Sequence, residues 1–113
     1  MTNTSRVQKL QEALLLFAKE RKWEKFHTPK NLAMALSVEC SELIEIFQWM
    51  TAEQSFHPEA GTRAHIREEI GDIMIYLCMI CSKFDIDPVE AALSKLAENE
   101  NRYPLSGVVE KQP

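Results

Sequence analysis

Two pairs of carboxylates carry most of the chemistry that this sequence could perform. Glu39 and Glu42 stand three residues apart, as do Glu69 and Asp72, and Glu45 and Glu68 lie beside them. Residues three apart on a helix project from one side of it, so each pair sets like charges against each other. At ~100° per residue, Glu39 falls within roughly 25° of the centre of the apolar stripe Leu32, Leu36, Leu43, Ile46 and Met50. Glu42 falls on its flank, and Glu69 and Asp72 flank the stripe Ile66, Ile70 and Ile73. A solvated acidic face should lie opposite the core; these acids lie in it or next to it. An unpaired buried carboxylate costs several kcal/mol or takes up a proton. The chain has no Lys or Arg between Lys30 and Arg63 to compensate. A hard divalent cation held by oxygen ligands, Mg²⁺ or Mn²⁺, is the natural partner. A di-iron carboxylate site expects Glu-x-x-His motifs, and no histidine follows either pair. Glu45 and Glu68 read equally well as an ordinary acidic surface.

The elements that must position these acids are helical. Three glycines in 113 residues, with 45% hydrophobic residues, favour an all-α chain over a sheet. Four helices are expected, over about Ser5–Lys22, Thr28–Met50, Thr62–Phe84 and Asp87–Arg102. Their starts carry capping signals: Ser5 with Gln8, Thr28 before Pro29, and Asp87 before Pro88 with Glu90. The segments Trp23–His27 and Thr51–Gly61 read as connections, the latter for Pro58, Gly61 and its lack of periodicity. The third helix is apolar nearly all round, since Met74, Ile75, Cys78, Met79 and Cys81 cover what the Ile66–Phe84 stripe leaves. A helix apolar on all sides is buried on all sides, which a chain this short cannot do alone, so this helix is expected at a subunit interface. The organisation expected is one helical domain over residues 1–104, a four-to-five-helix bundle, with a loose tail over 105–113.

Net charge −4 argues against a general nucleic-acid binder. The longest apolar run, Ile73–Cys81, is nine residues, too short to cross a bilayer. With no leader pattern in the first fifteen residues, the expected compartment is the cytoplasm. Cys40, Cys78 and Cys81 form no disulfide framework, and Cys78-x-x-Cys81 inside an apolar helix reads as inert buried thiols. No GxxxxGK[ST] loop is present. Phosphate contacts would fall to a cation and to scattered basic side chains. Lys95, Asn99 and Arg102 share one face of the last helix and could reach phosphates, or form a solvated polar face. His27 precedes a helix cap; His57 and His65 belong to no constellation.

The pattern Glu39-x-x-Glu42 and, a helix later, Glu69-x-x-Asp72 resembles the ExxE…ExxD signature of the MazG-type all-α NTP pyrophosphohydrolases. The strings from Trp23 to Leu32, Glu45 to Trp49, Asp72 to Leu77 and Asn101 to Pro104 resemble segments of the dCTP pyrophosphatases within that family. The resemblance runs over about residues 7–104. It implies an all-α homotetramer that hydrolyses a nucleoside triphosphate to monophosphate and pyrophosphate with Mg²⁺. Under it, Glu39, Glu42, Glu69 and Asp72 are metal ligands, and Glu45 is an acid beside the metal able to orient or deprotonate water. Trp23, Trp49 and Tyr76 match positions around base and sugar. His27, Lys30, Asn31, Lys95, Asn99 and Arg102 match polar residues near the nucleotide. Leu14 stands where dCTP-preferring members are expected to have a histidine, and the loop after Trp49 is shorter. The function expected is clearance of dCTP or a modified pyrimidine deoxynucleotide. The alternatives are the same reaction on dUTP or a broad range of dNTPs, and a non-catalytic helical oligomeric adaptor.

Overall fold

The computed structural model describes residues 5–105. They form α1 (Arg6–Glu20), a 3-10 turn (Glu24–Phe26), α2 (Pro29–Phe47), a one-turn α3 (Ala52–Ser55), α4 (Ala60–Lys83) and α5 (Pro88–Arg102), and no strand. The all-α expectation is met. The expected tail lies outside the described residues apart from Leu105.

Each expected cap forms. Ser5 Oγ accepts from the Gln8 amide at 3.1 Å while Gln8 Oε1 accepts from the Ser5 amide at 3.0 Å. Thr28 Oγ1 accepts from the Asn31 amide at 3.1 Å. Asp87 Oδ1 accepts from the Val89 and Glu90 amides at 2.8 and 3.2 Å. Three features depart from expectation, the first being that α2 ends at Phe47, three residues before Met50. The segment read as a loop contains α3, built on a second reciprocal cap between Thr51 and Gln54. Four residues are too few to show a period, so only the cap could have revealed it. Helix α4 also starts earlier, at Ala60.

Two helices end on a residue with positive φ. Lys22 (φ 59°) lets the Trp23 amide donate back to the Ala18 carbonyl at 2.9 Å, and Asp85 (φ 54°) lets the Ile86 amide donate to Cys81 at 2.9 Å. Both are six-to-one closures of a helix terminus on a left-handed residue, here without the usual glycine.

Helices α2 and α4 form the principal packed pair; α1 packs on α4 less extensively, and α5 touches α4 least of the three. The interior is small: among the described residues Ala18, Leu32, Cys78 and Cys81, together with Glu69, are buried. Burial pushes the Cys78 and Cys81 thiols up, and all three cysteines are free, as the inert reading requires. The apolar stripe of α4 does not point inward as a whole. Ile70 is 54% exposed while its neighbour Glu69 is 6% exposed. On a helix apolar nearly all round, periodicity cannot choose a face, and the face against α2 is the one that carries the acids. Among the described residues no helix is long and apolar enough to cross a membrane.

Candidate metal centre

Leu32, buried at 1%, and half-buried Leu36 and Leu43 hold one side of α2 against α4, and Glu39 lies on that same side. Cys78 and Cys81 anchor α4 from the opposite direction, and Glu69 and Asp72 lie in the two turns above them. Closing the α2–α4 seam therefore brings the acids together. Carboxylate oxygens of Glu39, Glu69 and Asp72 lie within 4.8 Å of one another. Glu39 Oε2 and Glu69 Oε2 are buried with no hydrogen-bond partner. The Glu39 carboxyl is pushed up to about 7, first by withdrawal from water, then by hydrogen bonding and charge repulsion within the acid group, from Glu42, Glu69 and Asp72.

Glu42 is half-buried beside Glu39. Glu42 and the exposed Glu45 line an open cavity of about 580 Å³ with Ile46, Met50, Thr62 and His65. Orphaned buried oxygens, a carboxyl driven towards neutrality and an oxygen-only donor set suit a hard divalent cation. The chain thus carries an acidic cluster of the kind that holds a metal. Glu68, by contrast, is exposed and outside the cluster.

The aromatic and basic candidates are more dispersed. Trp23 is 43% exposed and makes edge contacts with Phe17, centroids 5.7 Å apart, and with His27 at 6.3 Å. Trp49 follows the end of α2 and is 88% exposed. His27 lines a small cavity with Leu14, Leu15, Glu24, Met79 and Lys83. Asn31 spends its amide on the Phe26 carbonyl at 3.0 Å, so it fixes the entry to α2. Lys30 is exposed. Tyr76 is half-buried one turn beyond Asp72. On α5, Lys95 pairs with Glu98 at 3.3 Å, Arg102 lies over the Tyr103 ring at 5.6 Å and Asn99 is half-buried; none of the three lines the cavity beside the acids. His65, set aside in the sequence, does belong to the site. Its Nε2 lies 3.3 Å from Glu69 Oε1, and the i, i+4 spacing becomes a signal only once Glu69 is seen to be buried.

Comparison with known proteins agrees with this architecture. The profile of the MazG-like family matches residues 34–112. The dCTP pyrophosphatase 1 of Bos taurus is 44% identical over 92 residues, covering 79% of this chain and 54% of that protein. The human protein of the same name is 44% identical over 92 residues, covering 78% and 53%. The chain thus spans about half the length of the curated relatives it matches. A crystal structure of a pyrophosphatase from Archaeoglobus fulgidus superposes with a TM-score of 0.84 at 38% identity, covering 92% of this chain and 97% of that one. With acids, helices and relatives in agreement, this chain belongs to the MazG-like family.

Proposed function

We propose that this protein is a nucleoside triphosphate pyrophosphohydrolase that converts dCTP, or a related or modified pyrimidine deoxynucleotide, to the monophosphate and pyrophosphate. The observation that carries the reading is the group Glu39, Glu69 and Asp72, whose carboxylate oxygens lie within 4.8 Å of one another, with Glu42 and Glu45 on the wall of a cavity of about 580 Å³. The likeness to proteins named dCTP pyrophosphatase 1 supports the choice of base. A divalent cation, Mg²⁺ or Mn²⁺, held by Glu39, Glu42, Glu69 and Asp72, would supply the positive charge that lets a triphosphate approach these acids.

The chain's own side chains then do the rest. In the hydrolysis, a water oxygen bonds to the α-phosphorus, the bond from that phosphorus to the bridging oxygen breaks, and pyrophosphate leaves with that oxygen. A proton must leave the water, and we assign its acceptance to Glu45, which lies on the cavity wall one turn beyond Glu42. Ile46 and Met50 give the same wall an apolar stretch. Trp23 and Trp49 offer open indole faces for the base, Tyr76 a phenol towards the sugar, and His27, Lys30, Lys95, Asn99 and Arg102 polar contacts supplied within or between subunits.

The acting unit we propose is a homotetramer of one-domain subunits, residues 1–104. Unpartnered Leu15, Met34, Ile44, Leu93 and Leu96 on the surface support association. The test is incubation with each dNTP and Mg²⁺, with separation of the products. Pyrophosphate and dCMP from dCTP are expected; release of orthophosphate, or no turnover of any dNTP, would refute the assignment.

A further inference from the structure

The seam contains one interaction that the proposed chemistry has not used, and the inference from it rests on Glu69 being a metal ligand. His65 lies one turn before Glu69 on α4, with Nε2 3.3 Å from Glu69 Oε1. The Glu69 side chain is 8% exposed and the imidazole 55% exposed. Glu69 Oε2, the other oxygen, is buried with no partner. The last torsion of a glutamate is broad and twofold, so a carboxylate crowded by other acids needs something to hold its plane. Among the described residues, Glu69 is the member of the Glu39, Glu69 and Asp72 group that has an ion-pair contact with a basic side chain. The chain also contains its own control. His57 and Glu53 have the same spacing and a 3.2 Å contact, but both side chains are exposed, at 72% and 83%, and nothing near them needs orienting.

We propose that His65 is a positioning residue of the metal centre: it secures Glu69 Oε1 so that Oε2 is presented to the cation. It acts through Glu69 and binds neither metal nor nucleotide. Partners that hold a ligand in this way are worth about 10- to 100-fold in metal affinity.

The experiment is titration of the nucleotide-free protein with Mn²⁺, followed by electron paramagnetic resonance or calorimetry. It compares the native chain with His65→Ala, His65→Gln, His57→Ala and Glu69→Gln. His65→Ala should raise the Mn²⁺ Kd about tenfold or more, with the melting temperature in EDTA unchanged because the ring is more than half exposed. His65→Gln, which keeps a donor at similar reach, should stay close to native, as should His57→Ala. An unchanged Kd in His65→Ala overturns the proposal. So does a His65→Gln variant as weak as His65→Ala, or a loss of affinity that accompanies a lower melting temperature in EDTA and is not restored by glutamine. Glu69→Gln separates the two layers: native-like Mn²⁺ binding there removes Glu69 from the metal set itself, whatever His65 does.

Discussion

Glu39 keeps its proton to about pH 7 in the metal-free chain because water is withdrawn from it and acids surround it. An unfolded glutamate releases its proton near 4.5. The folded form thus binds this proton more tightly, which favours folding fully below about 4.5 and progressively less as pH rises to about 7. Thermal denaturation in EDTA should therefore show a melting temperature that falls across that window and then levels. Glu39→Gln should flatten the slope and raise the melting temperature at pH 7.5, while abolishing hydrolysis. Retained hydrolysis in Glu39→Gln would remove this residue from the site. Trp49 makes a second residue-scale case. At 88% exposed it contributes little to the fold of a single chain. If it stacks on the base, a contact worth about 1–3 kcal/mol, Trp49→Ala should raise KM by about tenfold or more with a smaller effect on kcat. A variant with unchanged KM would exclude a role for the indole in binding. The acids were legible in the sequence because their spacing set charge where an apolar stripe should be. His65 was not, because a lone histidine on an amphipathic turn takes its meaning from how deeply its neighbour is buried, and Ile70 and Glu69 show that the sequence did not settle which face of α4 is buried.

At the scale of elements, the ends of α1 and α4 matter as much as their middles. Lys22 and Asp85 occupy the left-handed conformation that closes each helix, which costs an ordinary side chain about 1 kcal/mol relative to glycine. Lys22→Gly should therefore stabilise the protein by about 0.5–1 kcal/mol in urea denaturation, without altering KM. A destabilised variant would mean that the Lys22 side chain supplies something its backbone does not reveal. Helix starts were readable because each cap is a local exchange of hydrogen bonds between residues three apart. The one-turn α3 was missed for lack of any period, although its Thr51–Gln54 cap obeys the same rule.

For the whole molecule, the interior is too small to account for a stable fold by itself. Among the described residues four apolar ones are buried, and on α5 Val89, Leu93 and Leu96 form an exposed stripe at 47%, 62% and 56%. The spacing of these three repeats every three to four residues, the pattern of a face that packs. Light scattering at micromolar concentration should give a mass several times 13.0 kDa, and the melting temperature should rise with protein concentration. Leu93→Glu should lower both the mass and that dependence; a monomeric native protein would refute association. The all-round apolarity of α4 in the sequence leads to the same expectation, but which surfaces pair is a property of the assembled faces and has no signature in one chain's periodicity.

The exposure of the indoles makes the protein its own optical reporter. Trp23 and Trp49 are its two tryptophans, and both stand in solvent in the single chain, one of them almost entirely. Its ultraviolet emission therefore originates at the end of α1 and the end of α2 and nowhere in the interior. A dissociated subunit should emit far to the red and be quenched readily by iodide. Any event that dries these rings, whether a neighbouring subunit closing over them or a base stacking on them, should move the emission to shorter wavelength and shield it from quencher, without a label.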